Sequence, residues 1–484
     1  MTSQKKNILS GVFWNSVQVL INKSFAFIIK LVLARILFPE EFGLVGMAVV
    51  FTSFVGIFND LGFGAALIQK KETKLSESHY NTAFWTGAIW SLIIFQIMVF
   101  VVSPFAASFY DEPILAQIIP VLSLSILSGP INLVHKAKLY RDLKFKQIAF
   151  IENVSSVTSG VFALVLALMG AGVWSLVLNS LTTFIIAVPL YFRATFWLPK
   201  FEWSEQAFKD IFGFGVYTMG TGLANNVINK VDYLLIGKLL SASALGAYTL
   251  AFVLTDTFRS QLMSIMNKVM YPIYGKTQDD KSSMKRYYLN VVKYNSLVVN
   301  PLMGILFVLA QPIIFNFFGA KWSETVEPLQ IISISVIFHM MVNSNTVLIR
   351  GMGKARLEFL IQLFKALFLF LPAISIGVYY YGIVGAAYAI LFNKIASVII
   401  AQIYLKRLVD VSFGDLMDSL KVTLLSLLVS ITLGEVCYHY LGLNFIFTGV
   451  LMLASYLTVV WIMMKGELKA QYSELRMKKS FSYK

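Results

Sequence analysis

Four histidines and one cysteine, Cys437, stand among 484 residues. A single thiol closes no intrachain disulfide and builds no thiolate zinc cage. Charge is scarce too: Asp, Glu, Lys and Arg make up 13% of the chain, against about 25% in a soluble globular domain. So few charged side chains cannot cover a water-facing surface of this size, which sets aside a soluble enzyme. Common catalytic motifs are also missing. There is no H-E-x-x-H for a zinc protease, no G-x-x-x-x-G-K-[ST] for nucleotide hydrolysis and no G-x-S-x-G nucleophile turn. No cofactor and no bound metal are expected, and the chain is not read as an enzyme. What the sequence holds instead is apolar: 57% hydrophobic residues and a mean hydropathy of +0.73. That is the composition of an all-α, polytopic membrane protein.

A spanning helix takes about 20 apolar residues. Fourteen stretches qualify, near 10–34, 42–66, 81–103, 115–134, 147–169, 172–192, 211–235, 244–267, 289–312, 327–349, 358–380, 383–404, 419–440 and 443–464. With the N-terminus in the cytoplasm, the termini and the loops after even-numbered spans carry about 30 of the 40 basic residues. Lys136, Lys138, Arg141, Lys144 and Lys146, after the fourth span, are one such group. The opposite loops carry Arg35, Lys238 and Lys321. This asymmetry follows the positive-inside rule, puts both termini in the cytoplasm and explains most of the net charge of +15 without nucleic acid. The start, MTSQKKNILSGVFWNS, is basic but has no small-residue cleavage site, so it is read as a retained first span.

The chain repeats itself. Lys6-Asn-Ile8 returns as Lys209-Asp-Ile211, an offset of 203 residues that also pairs Arg35 with Lys238 and Gly43 with Gly246. Later, Arg141–Phe145 matches Lys354–Phe359 at an offset of 213–214, and Gly170-Ala-Gly172 matches Gly382-Ile-Val-Gly385. Ordered repeats are the sequence mark of transporters built from duplicated bundles. The expected organisation is two pseudo-symmetric six-helix lobes, 1–200 and 201–410. Two additional helices, 13 and 14, occupy 411–464, and a basic cytoplasmic tail follows at 465–484.

Polar residues inside the spans are the candidate site. Asn15, Gln18 and Asn22 share one helix face, with Lys23 and Lys30 beside them. At the offset of 203 the stripe falls on Thr218, Thr221, Asn225 and Asn226, and runs on to Asn229, Lys230 and Asp232. A charge facing lipid costs about 2.5–3.5 kcal/mol on the insertion scale. These groups are therefore expected to line an aqueous cavity or to face one another. Lys230 and Asp232 also suit snorkelling at a span end, and asparagines also simply join helices. Arg259, Lys365 and Lys394 are further cavity candidates. Asp256 and Arg259, spaced i, i+3, also suit a mutual ion pair. Asp60, Asp232 and Asp256 are the candidates for coupling to a proton or sodium ion. Bases slightly outnumber acids in the spans, which favours an anionic cargo. His339 lies well inside a span, where packing is its expected role and a proton relay the other reading. The linker 201–211 is expected on the inner interface, with Trp197 and Trp203 at headgroup depth.

Leu33-Ala-Arg-Ile-Leu-Phe-Pro-Glu-Glu-Phe-Gly43, Asp60-Leu-Gly-Phe-Gly-Ala-Ala-Leu-Ile-Gln69 and Arg141–Phe145 resemble segments of bacterial polysaccharide exporters. The resemblance spans essentially the whole chain. It points to the WzxC-like branch of the Wzx oligosaccharide flippases, in the MOP superfamily. It implies a MATE-like fold, a bacterial inner-membrane location and, as cargo, undecaprenyl-pyrophosphate-linked oligosaccharide. Movement would be by alternating access of the two lobes, for surface polysaccharide such as O-antigen, exopolysaccharide or capsule. Membrane lipids and polysaccharide polymerase machinery are the other implied partners. Two alternatives stand: a MATE-type cation-coupled multidrug antiporter, and a membrane glycosyltransferase or polymerase. Acids would dominate the cavity of the first, whereas the first span here has Lys23 and Lys30. The second would need a large external loop.

Overall fold

The computed structural model of the chain describes residues 24–70, 73 and 75–482, leaving aside the side chains at 57, 58, 60, 65, 213–229, 258, 268, 355 and 467–482. Helix follows helix, and no strand occurs among the described residues. In order come α1 (24–36), α2 (Pro39–Asp60), α3 (Phe63–Gln69), α4 (Glu77–Tyr110), α5 (Leu115–Arg141), α6 (Phe145–Leu168), α7 (Val173–Thr195), α8 (Glu205–Leu239) and α9 (Ala242–Lys276). Then follow α10 (Lys281–Val308), α11 (Ala320–Gly351), α12 (356–381), α13 (383–409), α14 (Phe413–Tyr440) and α15 (Phe445–Ser482). Nine stretches among the described residues are long and apolar enough to cross a membrane. One of them, Arg356–Val409, covers two of the fourteen expected spans, because the chain turns at Gly382 (φ 59°, ψ −142°). Helices outside these nine overlie 42–66, 211–235 and 244–267. The helix expected to end near 464 continues through Ser482.

Local chemistry sets the helix starts. Pro39 opens α2, and Glu41 Oε2 accepts the Phe38 N–H at 2.6 Å. Ser204 caps α8 by accepting from the Ala207 N–H, and Asp280 caps α10 through the N–H groups of Ser282 and Ser283. Ser412 and Asp415 cap α14 reciprocally, at 3.1 and 2.8 Å. Each such cap is worth about 1 kcal/mol.

The chain divides into two compact units, Met1–Thr249 and Leu250–Lys484. Repetition places the division near residue 200. Compactness places it at Thr249, because α8 packs on α2, α3 and α4 of the first unit. A core of Phe63, Leu67, Tyr80, Phe84, Val134 and Ile211 holds that unit at one end. In the second unit Tyr274, Tyr288, Leu348, Leu405 and Leu416 form the core.

The repeat is visible in the backbone. A Cβ at Gly43 would overlap the Ala242 carbonyl, and one at Gly246 would overlap the Pro39 carbonyl. Both pairs stand at the offset of 203, so the start of α2 meets the start of α9 reciprocally. Only glycine admits this approach. Further on, Leu143 (φ 55°) and Gly353 (φ 74°) hold matching turns. Lys144 (φ −80°, ψ 47°) and Lys354 (φ −97°, ψ 42°) then start α6 and the helix after α11. These pairs fix an offset of 210, which replaces the 213–214 read from the side chains. Gly172 (φ 56°, ψ −131°) and Gly382 (φ 59°, ψ −142°) keep the same offset.

Candidate functional site

Asn15, Gln18, Asn22 and Lys23 lie outside the described residues. Thr218, Thr221, Asn225, Asn226 and Asn229 lie on α8 and Asp60 ends α2, but their side chains are not among those described. Lys30 is on α1 with an exposed side chain.

The lower part of the α8 stripe is resolved into contacts. Asp232 is buried, and its Oδ2 accepts from the Tyr248 hydroxyl at 3.0 Å while Oδ1 accepts the Tyr233 N–H at 2.9 Å. The Lys230 ammonium stands 4.6 Å from the centre of the Tyr233 ring. The carboxylate is therefore satisfied by a phenol from α9 and a backbone N–H. Sequence reading did not single out Tyr248. Its signal, a tyrosine 16 residues beyond Asp232, is too common to stand out.

The second unit gathers three of the remaining candidates. Arg259 on α9 donates through Nε and Nη2 to Asp256 Oδ1, the Nε contact being 2.9 Å. Asp256 is thus held in the i, i+3 pair, one of its two expected roles. α9 and α11 run in the same direction: Gly351 lies against Gly275, and Asn343 reaches Met263. One helical turn before that second contact, Arg259 and His339 stand at the same level. Lys394 on α13 and Lys365 on α12 also lie close enough to act on His339 electrostatically. Arg259, His339, Lys365 and Lys394 all keep accessible surface although they sit mid-helix. The carboxylate near Lys365 is Glu358, and Arg350 binds it at 3.0 Å. Lys365 also opens a wide-turn segment, Lys365–Phe370, inside α12. Such π-helical turns cluster at functional sites because they displace a side chain from the regular helix register. Four helices thus bring Arg259, Lys365 and Lys394 within electrostatic reach of His339, with Asp256 paired to Arg259. That arrangement suits an anion.

The repeat supplies an internal control. At the offsets fixed by the backbone, Arg259 corresponds to Gly56, His339 to Gly129, Lys365 to Ser155 and Lys394 to Phe184. The first repeat forms the same helices with none of these four charged or ionisable groups. The fold does not need them.

The end of the first unit where α3 meets α4 and α8 is organised differently. Arg141 Nη1 donates to the carbonyls of Leu67, Ile68 and Lys70 at 3.1, 3.2 and 2.7 Å, capping the end of α3. Asp210 accepts from Lys70 at 2.5 Å, from His79 Nε2 at 3.3 Å and from Gln206 at 3.0 Å. His79 Nδ1 accepts the Ser76 N–H, so the ring proton is on Nε2. The Lys70 hydrogen bond, then that of His79, hold the Asp210 carboxyl below the ordinary carboxylate range. The linker expected to float on the interface is tied to α4. Trp85 donates to Lys200 O at 2.7 Å, Asn81 to Glu202 at 3.1 Å, and Thr82 accepts from Ser204 N–H at 3.1 Å. Trp197 is half-buried and donates to Glu77 at 2.8 Å, whereas Phe196, Phe201 and Trp203 are the exposed aromatics. Among the described residues no group of three His, Cys, Asp or Glu could hold a metal ion.

Comparison with known proteins places this geometry. The chain is 28% identical to the teichuronic acid biosynthesis protein TuaB of Bacillus subtilis (strain 168), over 74% of each chain. It is 24% identical to the lipopolysaccharide biosynthesis protein WzxC of Escherichia coli (strain K12), over 90% of this chain and 89% of that one. Its fold is similar to that of the lipid II flippase MurJ in an inward closed conformation, with a TM-score of 0.74 and 15% identity over 94% of this chain and 100% of that one. It is also similar to an inward-facing multidrug resistance MATE family transporter of the MOP superfamily, with a TM-score of 0.64 and 14% identity over 81% and 97%. The fold is therefore a multi-pass, MurJ- and MATE-like helical membrane fold. A profile of the polysaccharide biosynthesis protein family matches residues 32–327, about three fifths of the chain, and the chain belongs to that family.

Proposed function

We propose that the protein moves a lipid-linked oligosaccharide across the bacterial cytoplasmic membrane for surface polysaccharide synthesis. The cargo is an undecaprenyl-pyrophosphate-linked repeat unit, and the two lobes give alternating access to it. The observation that carries this reading is the gathering of Arg259, Lys365 and Lys394 around His339. A pyrophosphate headgroup is the part of such a cargo that demands this charge, because an unpaired phosphoryl anion cannot leave water for a membrane interior. The sugars would pass in water while the polyprenyl tail stays in lipid. The protein makes and breaks no covalent bond in this scheme. Both termini face the cytoplasm, as the basic loops require. Lys30, Lys230 and the polar residues of the first and seventh expected spans keep their reading as cavity candidates. Asp232, with Asp60 and Asp256, belongs to coupling with a proton or sodium ion, and released units pass to polymerase machinery.

A MATE-type drug antiporter shares the fold, but a cationic drug would be repelled by the cluster. The test is mass spectrometry of undecaprenyl-linked glycans in a deletion strain, with leaflet-sided labelling. Complete units accumulating on the cytoplasmic leaflet are expected. Incomplete units would make the protein a participant in synthesis. An unchanged lipid pool with raised drug sensitivity would make it an antiporter.

A further inference from the structure

The first unit has two helix breaks at one level, and a single side chain joins them. α2 ends at Asp60, and Leu61 (φ 47°) and Gly62 (φ 69°) turn the chain before α3 begins at Phe63. Midway along, α5 tightens into a 3-10 stretch, Leu124–Ser128, and resumes at Gly129-Pro130. Pro130 has no N–H to carry the regular helix across that point. Asn59 of α2 donates through Nδ2 to the Ile126 carbonyl at 3.0 Å. Gly129 leaves the room for it: a Cβ there would stand 2.3 Å from Asn59 Nδ2. α4 runs unbroken, but it has Gly87 at this level, where a Cβ would come within 3.1 Å of Pro130. The two halves of α5 are fastened to different surroundings. Before the break, Pro120 withholds an N–H from the Ala116 carbonyl, and Ser103 in the C-terminal half of α4 donates to it at 3.1 Å. After the break, Arg141 holds the carbonyls that close α3, and Val134 and Ala137 pack with Phe63, Leu67 and Ile211. Asp210 and the linker fasten α8 and the first turns of α4 to the same body. The second repeat lacks both breaks. There α9 is continuous, Gln330 and Met340 replace Pro120 and Pro130, and Val326–Val342 is regular helix.

We propose that this body (α3, the second half of α5 and the first turns of α4 and α8) swings as one piece about a hinge at Leu61–Gly62, Gly87 and Gly129–Pro130, with Asn59 as its pin. A 3-10 stretch inside a spanning helix lacks the full set of i→i−4 bonds, so the chain bends there at lower cost than in the regular helix on either side. Glycine at the other two crossings tolerates the accompanying change of backbone angle. The hinge is read from these contacts alone, and its use rests on the transport reading above. On the orientation proposed there, the body lies at the cytoplasmic end, and its swing changes the room where a lipid-linked cargo enters. Asn59 is a positioning residue, acting through the two helices it joins.

The test is pulsed electron paramagnetic resonance on the full-length protein in lipid nanodiscs. Cys437→Ala removes the native thiol, and spin labels go on Gln69→Cys of α3 and Phe100→Cys in the C-terminal half of α4, both exposed positions. This otherwise unaltered protein should give a broad distance distribution. Pro130→Ala lets the helix run straight through, so the straight-to-bent ratio should change more than tenfold. The distribution should then collapse to one narrow distance, and surface polysaccharide should fall about tenfold while folded protein in the membrane is unchanged. Asn59→Leu and Gly129→Ala, which remove the pin from either side, should broaden the distribution instead. A general loss of stability would not move the two kinds of variant in opposite directions. One narrow distance shared by the parent and all three variants overturns the inference. So does wild-type export by Pro130→Ala. If the deletion strain accumulates no glycan, the transport reading falls, and the distances still decide the hinge.

Discussion

Gly172 and Gly382 turn the two repeats with nearly the same backbone angles, φ 56°, ψ −131° and φ 59°, ψ −142°. The helices around them carry very different side chains. The second repeat sets Arg259, His339, Lys365 and Lys394 where the first has Gly56, Gly129, Ser155 and Phe184. The first repeat carries charge at the helix ends around α3 instead. There Arg141 caps α3 and Asp210 ties α8 to Lys70 and His79. The second repeat has no such cap, because α9 runs unbroken from Ala242 to Lys276. In the first repeat Leu61 (φ 47°) and Gly62 (φ 69°) break the corresponding helix and leave carbonyls to satisfy. The first repeat thus ties Arg141 and Lys70 to backbone and to a carboxylate, while the second holds Arg259 against Asp256 and sets Lys365 and Lys394 within electrostatic reach of His339. Duplication supplied two similar scaffolds, and their mid-helix positions have taken different side chains.

Exchanging residues between the repeats tests this contrast most sharply. Lys365→Ser with Lys394→Phe installs the first repeat's residues in the second. If the proposed headgroup site is right, surface polysaccharide should fall more than tenfold through the loss of two half-buried charges (~2 kcal/mol or more), while folded protein in the membrane is unchanged. Polysaccharide assay and fluorescence-detected chromatography check the two halves. The next largest effect is on assembly. Gly43→Leu or Gly246→Leu drives a side chain into a backbone carbonyl, at a cost of about 1–3 kcal/mol or more. Either variant should melt well below the wild type, and both should act alike if the crossing is reciprocal. Arg141→Ala should cost about 1–2 kcal/mol through the uncapped end of α3, read as a lower melting temperature in detergent.

A smaller effect of opposite sign should follow at the matched turn. Leu143 holds φ 55° where the second repeat has Gly353, and a non-glycine residue there costs about 1–2 kcal/mol. Leu143 is exposed, so Leu143→Gly loses little packing and should raise the melting temperature slightly, whereas Gly353→Leu should lower it. The smallest effect is at Asp210. Its carboxyl is held below the ordinary range by Lys70 and then His79. The folded value is depressed, so the contribution is present above the ordinary carboxylate pKa and fades as pH falls through the lowered one. Asp210→Asn should remove that acid-side dependence and leave the melting temperature above pH 6 nearly unchanged, as for an exposed pair.

Much of the helix layout could be read from hydropathy, since apolar runs of spanning length leave little choice of element. The division at Gly382 was visible as a glycine between two apolar runs. The repeat was legible too, but its later register was not. Matching Arg141 with Lys354 follows charge, whereas the backbone matches Leu143 with Gly353, and nothing in a leucine announces a left-handed turn. Arg259, Lys365 and Lys394 were legible one by one because a charge inside an apolar run is costly. Their convergence was not, for Arg259 stands three helices before Lys365, with Lys394 on the next. His339 was read as a packing residue, with a proton relay the other reading, because a single imidazole in a span is cheap to bury. Trp197 looked like an interfacial anchor, and the hydrogen bond to Glu77 that draws it inward links residues 120 positions apart.

The most direct test of the proposed headgroup cluster is leaflet-sided mass spectrometry of undecaprenyl-linked glycans in deletion cells carrying the Lys365→Ser, Lys394→Phe protein. The account predicts complete repeat units held on the cytoplasmic leaflet at the level of the deletion strain, with the variant folded and abundant in the membrane. Wild-type distribution of the glycan between leaflets would contradict it.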